Sequence, residues 1–437
     1  MTPLEAERLL EQSVKEKDGD KLVEAENICN VLLNDNPDDW HALFVLGRCY
    51  IEASRYGTAA NLYRRVADIV PDSSHAWNNL GFCMHTLQKY QTAEEYFSKA
   101  IELDPTNFEA YNNMASLFAA QSQTERALQW AEWAKYWATE PDHYGKVEQN
   151  IALPLLGTGQ WKRGWEAFEY SLGDKWRRDR QYASEGHWDG TPGQTVVLYG
   201  EQGIGDEIMF GSIIPDAIRD CKEVIIECDR RLESLFRRTF TTATVYGTRH
   251  DRKLDWPAQH KIDARCAFGS LGKFYRLSEQ SFPRSPYIKA QTVTVTRTKP
   301  LIGIAWTGGT KITGTTRRSL SVEQVCWLRD RRPDLQFVSL EYKGDDCPEG
   351  MLDPRVYTRS TNYDDTASLV ASLDKVVSVT TAVALLAGAI GKECHVACPE
   401  APTWHWGYSG EMPWFDIKLY RSKGDWQPVL EQIAEAL

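Results

Sequence analysis

Apolar residues recur at three- and four-residue spacing through roughly the first 172 residues, as in Leu43, Leu46, Gly47 and Tyr50 or Trp77, Leu80, Gly81 and Met84. That spacing lays one apolar stripe along each amphipathic helix. Beyond Gly173 the period changes. Short apolar runs now alternate with helical stretches: Thr195 to Tyr199, Glu207 to Cys221, Glu223 to Cys228, Arg231 to Phe240, and, after a polar segment from Gln291 to Pro300, Leu301 to Trp306, Ser321 to Asp330, Gln336 to Leu340, Thr366 to Leu373, Lys375 to Val379, Ala382 to Ile390 and Glu393 to Cys398. Strand-like runs separated by helices predict βαβ units around parallel sheets, with a last helix from Trp426 to Leu437.

The helical part also repeats at longer range. Ala25, Ala59 and Ala93, and Pro37, Pro71 and Pro105, each advance by 34 residues. The clearest copy carries Trp77, Leu80, Gly81, Met84, Ala93, Phe97, Ala100 and Pro105. One step back lie Leu43, Leu46, Gly47, Tyr50, Ala59, Tyr63 and Pro71, and one step forward Tyr111, Met114, Ala115, Phe118, Ala127 and Ala134. A first copy runs through Leu9, Ala25, Leu32 and Pro37, and a fifth, shifted by three, through Ile151, Leu155, Trp161, Gly164 and Phe168. A 34-residue helix-turn-helix period resembles the tetratricopeptide repeat, whose small residues sit where paired helices touch. The expected organisation is about five helix pairs over residues 1–172, a connector over 173–193, and two Rossmann-like halves over 194–292 and 293–437.

The net charge of -11 is informative only when divided. Residues 1–150 hold 13 Lys and Arg against 24 Asp and Glu, and the remaining residues balance at 37 of each. An acidic repeat arm repels phosphates, which argues against a nucleic-acid partner and for a protein, peptide or glycan; self-association through the repeats is compatible with the pattern. Met1 to Lys15 carries Glu5, Glu7 and Glu11 rather than the basic and apolar regions of a signal peptide, and no run of about 18 apolar residues suggests a membrane span. The expected compartment is the cytoplasm. Ten cysteines scattered through helices and strands read as reduced thiols, and Cys394 to Cys398 reads as a buried strand rather than a metal cluster.

Three segments carry candidate chemistry. Gly200-Glu201-Gln202-Gly203-Ile204-Gly205-Asp206 joins a strand to a helix and places Glu201 and Asp206 at the carboxyl end of a buried strand, where α/β enzymes put catalytic groups. Gly203 and Gly205 let the backbone approach a ligand; Asp206 also reads as a helix cap. Trp306, Thr307 and Gly308 open a loop that continues through Lys311, Arg317 and Arg318, cations suited to a diphosphate held without a metal. Thr380 and Thr381 start an Ala-rich helix and read either as an anion site or as a plain cap. Trp404, Trp406 and Trp414 read as faces for a base or sugar, or as core.

These motifs, with Met412-Pro413-Trp414-Phe415 and Gly424-Asp425-Trp426, resemble bacterial tetratricopeptide proteins that carry a heptosyltransferase-like glycosyltransferase domain, and the layout is similar to O-GlcNAc transferase. The resemblance implies a GT-B architecture, a nucleotide-sugar donor bound mainly by the second half, no cofactor or metal, and Asp206 as the base that deprotonates the acceptor hydroxyl, with Glu201 in reserve. It implies further that Lys311, Arg317, Arg318, Thr380 and Thr381 face the diphosphate. One departure stands out: where the heptosyltransferase-like domains read Asp-Thr-Ala-x-x-His, this chain has Thr380-Thr381-Ala382-Val383-Ala384-Leu385. The expectation is a metal-independent, inverting glycosyltransferase; the alternative is a protein-interaction scaffold with a non-catalytic transferase domain.

Overall fold

The computed structural model describes residues 2–174, 177–309, 318–342 and 347–437. The chain divides into two compact units, Met1–Pro154 and Leu155–Leu437.

The first unit is a stack of helix pairs: α1 (Pro3–Glu16) with α2 (Gly19–Asp35), α3 (Trp40–Glu52) with α4 (Tyr56–Ile69), α5 (Ser74–Thr86) with α6 (Tyr90–Leu103), and α7 (Phe108–Ala120) with α8 (Thr124–Trp137). The 34-residue register is visible in the backbone itself. Asp39, Ser73 and Asn107 each cap a first helix through a side-chain oxygen that accepts a backbone amide. Ser54, Gln88 and Ser122 each turn the pair with φ of 58°, 59° and 59°. Asn36, Val70 and Asp104 end the second helices in non-helical geometry, extended at Asn36 and Asp104, because each precedes a proline, which disfavours the helical region. Ala59, Ala93 and Ala127 are fully buried. Gly47 and Gly81 lie under the rings of Tyr63 and Phe97, where a Cβ would come within 2.7 Å of either ring. The small positions of the repeat are therefore steric requirements.

Helix α9 (Pro141–Gly157) runs through the division, and α10 (Trp161–Phe168) lies wholly in the second unit. Its Trp165 donates to the Arg276 carbonyl at 2.7 Å and meets Phe210, Trp404 and Trp414 edge-on.

The second unit holds two five-stranded, all-parallel sheets. The first contains β1 (Gly186–His187), β2 (Thr195–Tyr199), β3 (Glu223–Glu227), β4 (Thr244–Tyr246) and β5 (Ala264–Ala267), in the order β1-β5-β2-β3-β4. The second contains β6 (Leu301–Ala305), β7 (Gln336–Ser339), β8 (Lys375–Val379), β9 (Cys394–Cys398) and β10 (Lys418–Arg421), in the order β10-β9-β8-β6-β7. Helices α11 (Ile204–Gly211), α12 (Ile214–Asp220), α13 (Glu233–Thr239) and α14 (Gly272–Tyr275) accompany the first sheet; α15 (Val322–Arg331), α16 (Arg355–Thr358), α17 (Tyr363–Ser372), α18 (Ala382–Ile390) and α19 (Gln427–Ala436) accompany the second. The expected helix over Glu207 to Cys221 is two helices, because Pro215 cannot donate within a continuous one. Parallel α/β character, read from the alternation, is what the unit shows. Each sheet reverses its winding beside its first long strand, between β2 and β5 and between β6 and β8. Such reversals open a crevice at the strand carboxyl ends.

Because Phe97 covers Gly81 so closely, Gly81→Ala should lower stability. Its helix-propensity gain of about 1 kcal/mol is opposed by about 1–3 kcal/mol of overpacking. A lower urea midpoint followed by circular dichroism is the expected result.

Candidate functional site

Both reversals carry the motifs singled out above. The loop Gly200–Gly203 follows β2, and Trp306 to Gly308 and Thr380 to Thr381 follow β6 and β8. They are brought together by α11 and α18, which pack on each other: a Cβ on Gly205 would lie 3.3 Å from the Ala382 Cβ and 3.4 Å from Leu385 Cδ1. Glycine at 205 permits this approach, and Leu385 fills the gap.

Asp206 sits in the first turn of α11, half-buried, and one of its oxygens accepts the Gly203 amide at 3.0 Å. The cap reading therefore holds for one oxygen. Removal from water raises the carboxyl to about 6; the Gly203 amide and Arg249 oppose the rise, and Glu201 adds to it. From the second half Arg318 lies near enough to feel its charge. Burial holds the Arg318 guanidinium below its ordinary range, and the Asp206 charge works against that shift. Arg318 donates to the Thr380 hydroxyl at 3.2 Å and to its carbonyl at 2.8 Å. A carboxyl raised by burial and a guanidinium lowered by burial thus lie within electrostatic reach of one another.

Glu201 has a different environment. Its side chain is buried, and one oxygen accepts Arg177 at 3.3 Å, the Gly269 amide at 3.1 Å and Gln202 at 3.2 Å. Arg177 in turn donates to the Phe168 carbonyl and to Ser270. Glu201 ties the ends of β2 and β5 to the chain that follows α10, a structural engagement unlike that of Asp206.

The β6 loop is also internally satisfied. A single oxygen of Glu341 accepts the amides of Trp306 and Thr307 at 2.7 and 2.8 Å, and Ser319 accepts the Gly308 amide at 3.0 Å. A Cβ on Gly308 would lie 2.5 Å from the Arg318 carbonyl, so glycine is needed to close the loop base. The Trp306 indole is buried in the core of the second sheet, while Thr307 is exposed. Thr381 caps α18 by accepting the Ala384 amide at 3.4 Å and contacts Ser378, whereas Thr380 is buried against Arg318. Lys311 and Arg317 lie outside the described residues.

The three tryptophans are buried. Trp404 and Trp414 pack with Trp165, Phe210 and one another, and Phe282 covers Trp414 at 5.0 Å. Their faces are occupied by this aromatic core. Trp406 is fully buried without a partner for its indole N–H among the described residues. Beside it His405, pushed down to about 3 by burial and by Arg318, is neutral. Both ring nitrogens of His395 are engaged, by Tyr420 and Glu393, and among the described residues no group of His, Cys, Asp and Glu could hold a metal.

The sequence reading missed Glu207, Arg249 and Glu341. Glu207 is buried and paired with Arg249; desolvation pushes its carboxyl up, and Arg249 works against that shift. It adjoins Asp206 in sequence, but its partner lies 42 residues away.

The geometry defines a repeat stack and a doubly wound α/β unit, with Asp206 and Arg318 near its two sheet reversals. Residues 30–74, 74–107 and 96–129 match tetratricopeptide repeat family descriptions, so the stack is made of tetratricopeptide repeats. Among curated proteins the chain is similar to protein FlbA of Caulobacter vibrioides, 25% identical over 353 residues. That match covers 72% of this chain and 59% of FlbA, so the chain spans less than two thirds of its relative. Solved structures with partial likeness include MamA (18% identity, 36% of this chain and 91% of that one, TM-score 0.30). Others are a thermophilic tetratricopeptide protein of Thermus thermophilus (14%, 39% and 91%, TM-score 0.33) and YrrB, a tetratricopeptide protein described as having an unusual peptide-binding site (14%, 38% and 84%, TM-score 0.28). No helix among the described residues is long and apolar enough to cross a membrane.

The Asp206 shift has a stability consequence with a definite sign. A carboxyl that is easier to protonate folded than unfolded makes stability fall as pH rises from about 4 to about 6. Asp206→Asn should therefore raise the melting temperature at pH 8, by about 2–4 °C once partial exposure is allowed for, and leave it nearly unchanged at pH 4. Melting curves at the two pH values check this.

Proposed function

We propose that the repeats recruit a polypeptide or glycan and that the α/β unit transfers a glycosyl group onto one of its hydroxyls from a nucleoside-diphosphate sugar. The observation that carries the reading is that Asp206 and Arg318 lie within electrostatic reach of one another where α11 and α18 abut. A carboxyl at about 6 is ionised at neutral pH yet basic enough to accept a proton, the compromise that general-base catalysis favours. As the acceptor oxygen forms its bond to the anomeric carbon, Asp206 takes the hydroxyl proton. The bond from that carbon to the diphosphate oxygen breaks with inversion, and Arg318 stabilises the departing charge. Lys311 and Arg317 add cations on the strength of their sequence position. With the Trp306 and Thr307 amides engaged by Glu341, phosphate binding rests on side-chain cations more than on that loop's backbone.

Protein interaction is the part of this reading that the repeat matches support directly. A second reading, a scaffold with a non-catalytic α/β unit, is favoured by Leu385, which packs against Gly205 at the helix position where the resembled domains carry His.

Thermal shift separates the two. With UDP, GDP and ADP sugars each tested, and a CMP sugar as the monophosphate control, one diphosphate donor should raise the melting temperature by about 5 °C near saturation, and Arg318→Ala should remove the shift. In the presence of the donor and an acceptor, Asp206→Asn should slow transfer by about 100-fold or more while donor binding persists, and EDTA should not inhibit. Absence of a shift with every donor would leave the scaffold as the reading.

A further inference from the structure

We propose that Glu207 and Arg249 are a positioning pair that presents Asp206 to the crevice, with Arg249 as the counter-cation of that carboxylate; this rests on Asp206 being the proton acceptor. The argument begins with helix geometry. Consecutive residues are about 100° apart around a helix, so anchoring Glu207 under the first sheet fixes the direction in which Asp206 faces. Glu207 is anchored at both oxygens: one accepts the Asp229 amide at 2.9 Å, and the other takes the Arg249 guanidinium. The fit is close enough to determine a backbone residue. A Cβ on Gly200 would lie 2.3 Å from the Glu207 Oε1, so this glycine is required by Glu207.

Arg249 is itself held from the other side. Its amide donates to the Cys228 carbonyl at 3.2 Å, and its carbonyl accepts Arg180 at 3.3 Å. Arg180 also donates to the Thr248 and Asp251 carbonyls and pairs with the buried Glu227. Tyr287, which also feels the Glu207 charge, donates to the Ile208 carbonyl at 2.5 Å, in a space that only glycine at 211 leaves open. The helix is thereby fixed by charge at Glu207 and by a hydroxyl at the neighbouring Ile208.

The charged groups facing Asp206 are Glu201 and Arg249 from the first half and Arg318 from the second, with the Gly203 amide. Those facing Glu207 are Arg249 and Asp229, and Asp229 is itself bound by Arg231 and contacts His250. Arg249 is the cation common to both carboxylates. Removing it should make Asp206 harder to ionise. Removing the charge of Glu207 should do the reverse, since it leaves Arg249 to Asp206 alone.

The test reads Asp206 directly in the full chain, without any donor. With aspartate labelled at the carboxyl carbon and the Asp206 signal identified by its loss in Asp206→Asn, NMR titration from pH 4 to pH 9 gives its midpoint. Arg249→Met should move the midpoint up by about one pH unit, Arg249→Lys should restore part of the difference, and Glu207→Gln should move it down. A packing role alone would not produce opposite directions. Unchanged midpoints, or shifts of the same sign in both variants, would overturn the proposal. If Arg249→Met does not fold, Arg249→Lys and Glu207→Gln carry the same comparison: a downward shift in Glu207→Gln supports it, and no shift in either overturns it. Because the titration needs no turnover, its outcome is separate from whether Asp206→Asn loses transfer.

Discussion

The contact on which the α/β unit depends is the abutment of α11 and α18 at Gly205 and Ala382. Each helix begins at the carboxyl end of a strand beside a sheet reversal. Bringing two helix starts together concentrates unpaired amides and the positive ends of two dipoles in one place. Arg318 adds a full positive charge, and the carboxylate placed against this cluster is Asp206. Such an environment favours an anion, while the low local polarity that raises Asp206 makes its own ionisation costly. The gathering of two helix starts and the raised carboxyl follow from one steric fact, that residue 205 has no side chain.

Around this point the first sheet is cemented by buried ion pairs rather than by apolar packing alone. Arg177 with Glu201, Arg180 with Glu227 and Arg249 with Glu207 all lie near the carboxyl ends of the strands. Buried pairs contribute little net stability, because desolvation offsets the attraction, but losing one partner strands a charge and is severe. Their value is geometric. They hold loops at fixed positions where a hydrophobic core, indifferent to direction, would allow them to slide.

Sequence made the repeats legible because their contacts are local: every cap, left-handed turn and buried alanine recurs 34 residues on. It also placed β2, β6 and β8, whose continuous apolar runs are the mark of strands buried on both faces. The strands β4, β5 and β10 gave no such signal, because β4 is three residues long and charged residues interrupt the others, Arg265 in β5 and Lys418 and Arg421 in β10. Roles within the site were harder to read for a related reason. Glu201 and Asp206 look alike in the loop, and only a distant arginine, 24 residues before Glu201, separates a structural carboxylate from one that faces the crevice. Likewise Glu341 reaches the β6 loop across 35 residues. The tryptophans were ambiguous because stacking on a ligand and packing in a core ask for the same residue; Trp165, Phe210 and Phe282 decide for the core at Trp404 and Trp414.

The same reasoning bears on the missing histidine. In the resembled domains that residue follows the helix start by a turn; here Leu385 occupies the turn and buries itself against the opposing helix. An apolar side chain there strengthens the abutment of the halves and removes a hydrogen-bond donor from the crevice. Arg318, reaching Thr380 from the base of another loop, supplies donors and charge to the same neighbourhood. A guanidinium binds phosphate oxygens in a fixed fork and does not titrate near neutral pH, whereas histidine does. The arginine therefore keeps its charge at all physiological pH values, and of the two groups Asp206 is the one whose charge changes near pH 6.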